Sequence, residues 1–158
     1  MLNYALRIHC LLIPIENESL LLPSANIAEV IHFVEPEEVR GAPDWLLGFI
    51  KWRDLKIPLV AFEAIIGRGR PEVEGIKRIL VINTLAGNPT LPFFSLLVQG
   101  RPRPLQVDES LVTPMSKNPE PGVLRYVHVY GDPAIIPDPD HIEKLLHEFK
   151  DRVAKKKR

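Results

Sequence analysis

The sequence has little of what covalent bracing or catalysis needs. It holds one cysteine in 158 residues, Cys10, so no internal disulfide can form and no metal knuckle of paired thiols can be built. That residue sits in an apolar run, where a buried thiol is the expected role. Charge of one sign is also missing: twenty basic and twenty acidic residues cancel, which leaves no global field to recruit nucleic acid or an anionic membrane. No apolar run reaches the roughly eighteen residues of a membrane span, and no basic segment leads into a signal-type hydrophobic stretch. The expectation is a cytoplasmic, soluble protein with no direct membrane insertion.

Catalytic constellations are scarce as well. The histidines His9, His32, His128, His141 and His147 stand in no H-x-H, H-x-x-x-H or H-E-x-x-H arrangement. No serine or cysteine lies in a nucleophile setting, and G-x-S-x-G does not occur. Gly67-Arg68-Gly69-Arg70 lacks the third glycine, the preceding strand and the following helix of a phosphate loop, and reads as a flexible connection. These absences imply no catalytic residue, no metal and no cofactor. Nucleic acid is disfavoured too, because Lys51-Trp52-Arg53 and Lys77-Arg78 are short and acidic residues surround the first of them.

What is present is a chain of short apolar runs punctuated by sixteen prolines. Its length suffices for one domain, or two small lobes sharing a core. Residues 6–15 alternate apolar side chains on two faces, and after the polar turn Glu16-Asn17-Glu18-Ser19 the run Leu20-Leu21-Leu22 completes a hairpin. Residues 27–34 form a third strand with Glu29 on an otherwise apolar face. One helical turn is expected over residues 43–47 and a short helix before Gly67. Residues 77–84 and 93–98 make a hairpin across Gly87-Asn88-Pro89. Arg101-Pro102-Arg103-Pro104 lacks two backbone donors, which excludes a central strand there and marks a rigid bend. A weak strand follows over 105–107, and a last hairpin turns at Gly131-Asp132-Pro133. Asp138-Pro139 opens a helix whose stripe is Ile142, Leu145, Leu146, Phe149 and Val153. Many short strands and few helices indicate a mostly-β protein of small barrels.

Between two apolar runs lies Gly48-Phe49-Ile50-Lys51-Trp52-Arg53-Asp54-Leu55-Lys56-Ile57-Pro58-Leu59-Val60. It matches the pattern G-x-x-N-x-R-G-x-x-x-P-(I/L)-(V/I) at Gly48, Arg53, Pro58, Leu59 and Val60. Together with Ile27-Ala28-Glu29-Val30, the strand 78–83, the strand 93–98 followed by Gly100, and Ile142-Glu143-Lys144-Leu145-Leu146, it resembles the CheW-like domain, the family of chemotaxis coupling proteins. The resemblance runs from about residue 6 to 149. Departures are Lys51 for the family's Asn, Asp54 for Gly, Ala61 and Gln99 for Asp, and the Arg101-Pro102-Arg103-Pro104 segment. Asp54 still suits a turn, because Asp tolerates left-handed backbone.

The resemblance implies two interlocked five-stranded SH3-like barrels with a C-terminal α-helix, in one CheW-like domain over residues 1–158. The first barrel is expected at about 17–70 and the second at about 77–138, with 6–16 partly shared with the 77–136 region and the helix at 139–154. It implies a groove between the barrels that takes a methyl-accepting chemoreceptor's hairpin tip, with Ile27, Glu29, Val30, Gly48, Arg53 and Gly100 at matching positions. It also implies pairing of Glu29 with Arg53 across neighbouring strands, Arg53 facing inward, while Lys51 and Trp52 are free to face a partner. The second expected partner is the regulatory domain of a CheA-like histidine kinase, for which no residue carries a motif. Function is thus expected to be a non-enzymatic adaptor in chemotaxis, or in a system governing type IV pili and twitching motility. The alternatives are a structural scaffold module and a small-ligand sensor using the same barrel pair.

Overall fold

The computed structural model describes residues 7–73, 75, 77–84 and 91–156. Strands β1 (Arg7–Ile15) and β2 (Glu18–Pro23) form the expected first hairpin, closed by Glu16 and Asn17 with Asn17 in the left-handed region at φ 64°. Strand β3 (Ile27–His32) is shorter than its apolar run, and β4 (Leu46–Trp52) begins where a helical turn was expected. Leu46 donates its N–H to the Pro43 carbonyl at 3.0 Å in a tight turn, and the chain then extends at once. β5 (Leu55–Val60) and the four-residue α1 (Phe62–Ile65) follow, then β6 (Arg78–Asn83) and β7 (Phe93–Val98). The Gly87-Asn88-Pro89 turn expected between the last two lies outside the described residues. β8 (Arg103–Asp108) starts earlier than the weak strand expected over 105–107, and the three-residue β9 (Val112–Pro114) carried no sequence signal. β10 (Val123–Val129), β11 (Asp132–Pro137) and α2 (Pro139–Lys156) complete the fold.

The strands divide into two sheets, ordered β3-β6-β7-β5-β4 and β8-β1-β2-β11-β10-β9. Each curls into a small SH3-like barrel, so the mostly-β, two-barrel class holds; the second has six strands, the extra one being β9. The division along the chain differs from the expected 17–70 and 77–138. β6 and β7 pair with β3 and β5, whereas β2 pairs with β1 and β11. The reason is two-sided burial. Ile79, Val81 and Leu97 point into the first barrel, while Leu80, Ile82, Phe94, Leu96 and Val98 point the other way, so these strands are buried on both faces and must be central. β8, with Pro104 opposite Leu11, is an edge strand, as the missing donors require.

Three apolar clusters result. One fills the first barrel and includes Leu47, Ile50, Trp52, Ile57 and Leu59. A smaller one fills the second, with Cys10, Leu21, Val107, Val127, Val129 and Ala134. The largest lies in the seam between them, where Ile13, Leu20 and Ile135 of one sheet meet Leu80, Phe94 and Leu96 of the other. α2 covers that seam with Ile142, Leu146 and Phe149, three of the stripe residues read from the sequence. Its first turn is set as expected, with Pro139 leading and the Ile142 N–H donated to the Asp138 carbonyl at 3.4 Å.

Candidate functional site

In the first sheet β3 and β4 are the two edges, and side chains fasten them to each other. Trp52 donates its indole N–H to Glu29 Oε2 at 2.7 Å, and Arg53 Nη2 stands 4.0 Å from the same oxygen. The Arg53 guanidinium also lies over the Trp52 ring, 4.5 Å from its centroid. Trp52 in turn meets Phe93 edge-on, with centroids 4.8 Å apart. The pairing of Glu29 with Arg53 is thus present, but its setting is not the expected one. Arg53 does not face inward: its side chain is 65 % exposed and that of Glu29 43 %. Trp52 is not free to face a partner, since it is buried and its one donor is engaged. Lys51, on the opposite face of β4, is exposed.

The hairpin itself explains the placement of Arg53. Trp52 pairs with Leu55, leaving a two-residue turn in which Arg53 and Asp54 both have positive φ, 46° and 62°. Such a turn matches the twist of the strands it joins and throws both side chains outward. Asp54 fits this conformation well, whereas Arg53 is an uncommon occupant, and no sequence signal announces it.

Gly48 serves the backbone rather than a surface. It is buried with φ 144°, and a Cβ there would stand 2.4 Å from the Glu37 carbonyl oxygen. That approach lets Glu37 and Phe49 exchange N–H···O bonds of 2.8 and 2.9 Å, which pins the acidic loop across β4. Ile27 packs against the seam, because a register shift between Ile27 and Glu29 turns it away from the face shared by Ile31 and Phe33. Gly100 is partly buried, and a Cβ there would meet only Pro14 Cγ at 3.8 Å.

Val30 alone of the expected groove residues lines the cleft between the two sheets. This cleft, of about 310 Å³, is bounded by Leu11 of β1, Val30, Ile31 and His32 of β3, Arg78 of β6, and Arg101 and Pro102. Arg78 Nη1 is hydrogen-bonded to His32 Nδ1. Glu29, Trp52 and Arg53 form a separate group on the first barrel, and Gly48 lies apart from both.

Two polar groups at the seam escaped the sequence reading. Arg68, expected in a flexible connection, binds Glu18 at 3.3 Å, Glu120 at 3.1 Å and the Tyr126 hydroxyl at 3.2 Å. Tyr126 also donates to Glu120 Oε1. The hydrogen bond from Tyr126 holds the Glu120 carboxyl below its ordinary range, while burial pushes the Tyr126 hydroxyl up. Arg68 lies between α1 and β6, within the stretch that builds the first barrel, and Glu18 and Tyr126 stand on strands of the second, so the group ties the barrels together. On α1, Glu63 is buried; its Oε2 accepts the Glu16 N–H at 2.9 Å, while Oε1 and the Gln99 Nε2 have no partner within bonding geometry. Burial pushes the Glu63 carboxyl up, and the nearby Glu16 charge acts in the same direction. Among the described residues no group of three or more His, Cys, Asp or Glu side chains is placed to hold a metal ion, and no helix is long and apolar enough to cross a membrane.

Comparison with known proteins points one way. The family model described as "CheW-like domain" matches residues 9–146. No curated protein matches the chain. Among solved structures, the scaffolding protein TtCheW of Thermoanaerobacter tengcongensis superposes with a TM-score of 0.68 at 18% sequence identity, over 87% of this chain and 88% of that one. At that identity the likeness speaks for the fold, and the family rests on the match over residues 9–146. With the two barrels, the clasped β4–β5 hairpin and the cleft in place, the chain belongs to the CheW-like domain family.

Proposed function

We propose that this protein is a non-enzymatic adaptor that holds a chemoreceptor's hairpin tip and the regulatory domain of a CheA-like histidine kinase at fixed geometry, in the cytoplasm. The observation that carries this reading is the seam. Two barrels that share one apolar cluster, are capped by one helix and are tied by Arg68 behave as a rigid body, and rigidity is what an adaptor needs to hold two partners in register. The receptor-facing surface in this reading runs from the cleft at Val30 to the exposed Glu29 and Arg53 pair, with Lys51 beside it. Ile27 and Gly48 act behind that surface, by shaping it. The signalling context is chemotaxis or, given the departures at Lys51, Asp54 and the Arg101-Pro102-Arg103-Pro104 segment, a system serving type IV pili and twitching motility.

The test is a calorimetric titration of the full chain against the kinase regulatory domain and, separately, against a receptor hairpin tip, with Arg53→Ala alongside. Binding to both at micromolar concentration, with the receptor arm weakened in the variant, is the expected result. Absence of binding to either partner would sink the proposal.

A further inference from the structure

The inter-barrel cleft has a charge character that the adaptor reading does not supply. Its apolar lining comes from Leu11 and Pro102, and Val30 in its wall is 38 % exposed although it is a β-branched residue at a barrel seam. Its rim is cationic. Arg78 and Arg101 line it with His32, and among the described residues no carboxylate lines it and no acidic side chain pairs with either arginine. The polar partner found for Arg78 is the His32 ring nitrogen, which can carry no compensating negative charge. Pro102 is buried while its neighbours Arg101 and Arg103 are exposed, so the proline fixes the bend against the barrel and leaves Arg101 at the mouth. Arg53 and Arg68, by contrast, each have a carboxylate partner.

We infer that this cleft takes an acidic amphipathic segment of a protein partner, whose apolar side chains cover the apolar lining while its carboxylates meet Arg78 and Arg101. The inference rests on the adaptor reading for the existence of a partner at this surface and adds its chemistry. A guanidinium offers a planar, two-pronged donor set to a carboxylate, and at the mouth of an apolar cleft such a pair is less screened than on an open surface. A nucleic acid or a free phosphate could satisfy the arginines but would leave Leu11 and Val30 uncovered. A wholly apolar segment would cover the lining and leave two unpaired cations at its edge.

The experiment uses the full chain and two lactam-bridged helical peptides with the same leucine ridge, one flanked by glutamate and one by glutamine, titrated by fluorescence anisotropy. The glutamate peptide is expected to bind at least about tenfold more tightly, as one charged hydrogen bond warrants. That advantage should shrink as salt is raised and vanish in Arg78→Gln/Arg101→Gln. Arg101→Gln alone, in an exposed bend, should keep the native melting temperature and lose part of the advantage. Equal affinities, no binding of the glutamate peptide, or discrimination that survives the double variant would overturn the inference. A parallel titration with the kinase regulatory domain separates the two readings. Kinase binding without peptide discrimination refutes the acidic partner alone, and peptide discrimination without kinase binding upholds this inference while refuting the adaptor.

Discussion

The two barrels are built to different standards. The first comes from one stretch, residues 27–98, and among the described residues it encloses nine buried side chains that include Trp52, Ile50 and Leu59. The second is assembled from residues 7–23 and 103–137, and among the described residues it encloses six, including the small Cys10 and Ala134. Its mouth stays open as an apolar cavity of about 340 Å³ lined by Ile8, Cys10, Leu21, Pro23, Val107, Val112 and Ile136. Stability gained from burial grows with apolar area removed from water, so the second barrel gains less from its own interior and must also order two distant segments. The difference is made up at the seam, where Ile13, Ile15, Leu20, Leu22, Tyr126 and Ile135 of the second barrel are buried against the first. One barrel is a core in its own right; the other is held by its neighbour.

The strongest way to break that comparison is to empty the seam. Phe94 is 1 % exposed and belongs to the shared cluster, so Phe94→Ala should cost about 3–5 kcal/mol. Urea unfolding followed by Trp52 emission in a Trp45→Phe background and by thiol labelling of Cys10 should give one common, lowered midpoint. A Cys10 midpoint that stays at its native value would mean that the second barrel stands without the seam. A smaller effect, confined to the first barrel, is expected from Gly48→Ala. The new Cβ would meet the Glu37 carbonyl oxygen at 2.4 Å in a backbone conformation that L-residues rarely adopt, a strain of about 1–3 kcal/mol. Trp52 emission should register it. A faster Cys10 labelling in folded protein would contradict its assignment to the first barrel.

The seam also titrates. Glu63 on α1 grips the turn between β1 and β2 through the Glu16 N–H, and the groups that face it are the Glu16 carboxylate and the Gln99 amide, itself bonded to Lys77. Because burial raises the Glu63 carboxyl above its ordinary 4.5, the folded state holds a proton there that the unfolded chain has already released. The unfolded state binds fewer protons, so stability falls as pH rises from about 4.5 through the raised value, and is level above it. Glu120 carries the opposite sign. Its lowered carboxyl contributes stability above the ordinary range that is lost as pH falls through the lowered value. Glu63→Gln should therefore flatten the upper limb, gaining on the native protein in denaturation midpoints as pH rises from about 4.5 through the raised value, while leaving the acid limb unchanged. A pH-independent difference between variant and native protein would refute the assignment.

Much of the architecture was legible because local chemistry and tertiary position agreed. Asp138-Pro139 and the stripe from Ile142 gave α2, and the prolines at 102 and 104 excluded a central strand, although the expected bend at 103–104 is the start of β8 at the sheet edge. Barrel membership was not legible, because β6 and β7 are apolar on both faces, and a two-sided run says that a strand is central without saying in which sheet. At the site, the spacing from Gly48 to Val60 located the hairpin, and the family resemblance implied the pairing of Arg53 with Glu29. It misjudged which way each side chain points, since a two-residue turn with positive φ at both positions turned Arg53 outward and left Trp52 in the barrel. Arg68 was missed for a similar reason: two flanking glycines signal freedom, and only the fold brings Glu18, Glu120 and Tyr126 around it.

The mildest test separates what Arg53 does for the fold from what it does for a partner. An exposed ion pair at 4.0 Å contributes at most about 1 kcal/mol, and Glu29 keeps its indole hydrogen bond when Arg53 is shortened. Arg53→Ala should therefore lower stability by less than about 1 kcal/mol, and raising salt should shrink that loss further. Trp52→Phe is the contrasting variant. It removes the bond of 2.7 Å that joins the two edges of the first barrel, at a cost of about 1 kcal/mol that salt should touch little. If receptor binding falls in Arg53→Ala while the melting temperature barely moves, the guanidinium is a contact on the surface of the better-built barrel. If both variants lose stability and binding in parallel, Arg53 acts by closing the barrel, and the contact must be sought at Lys51 or in the cleft.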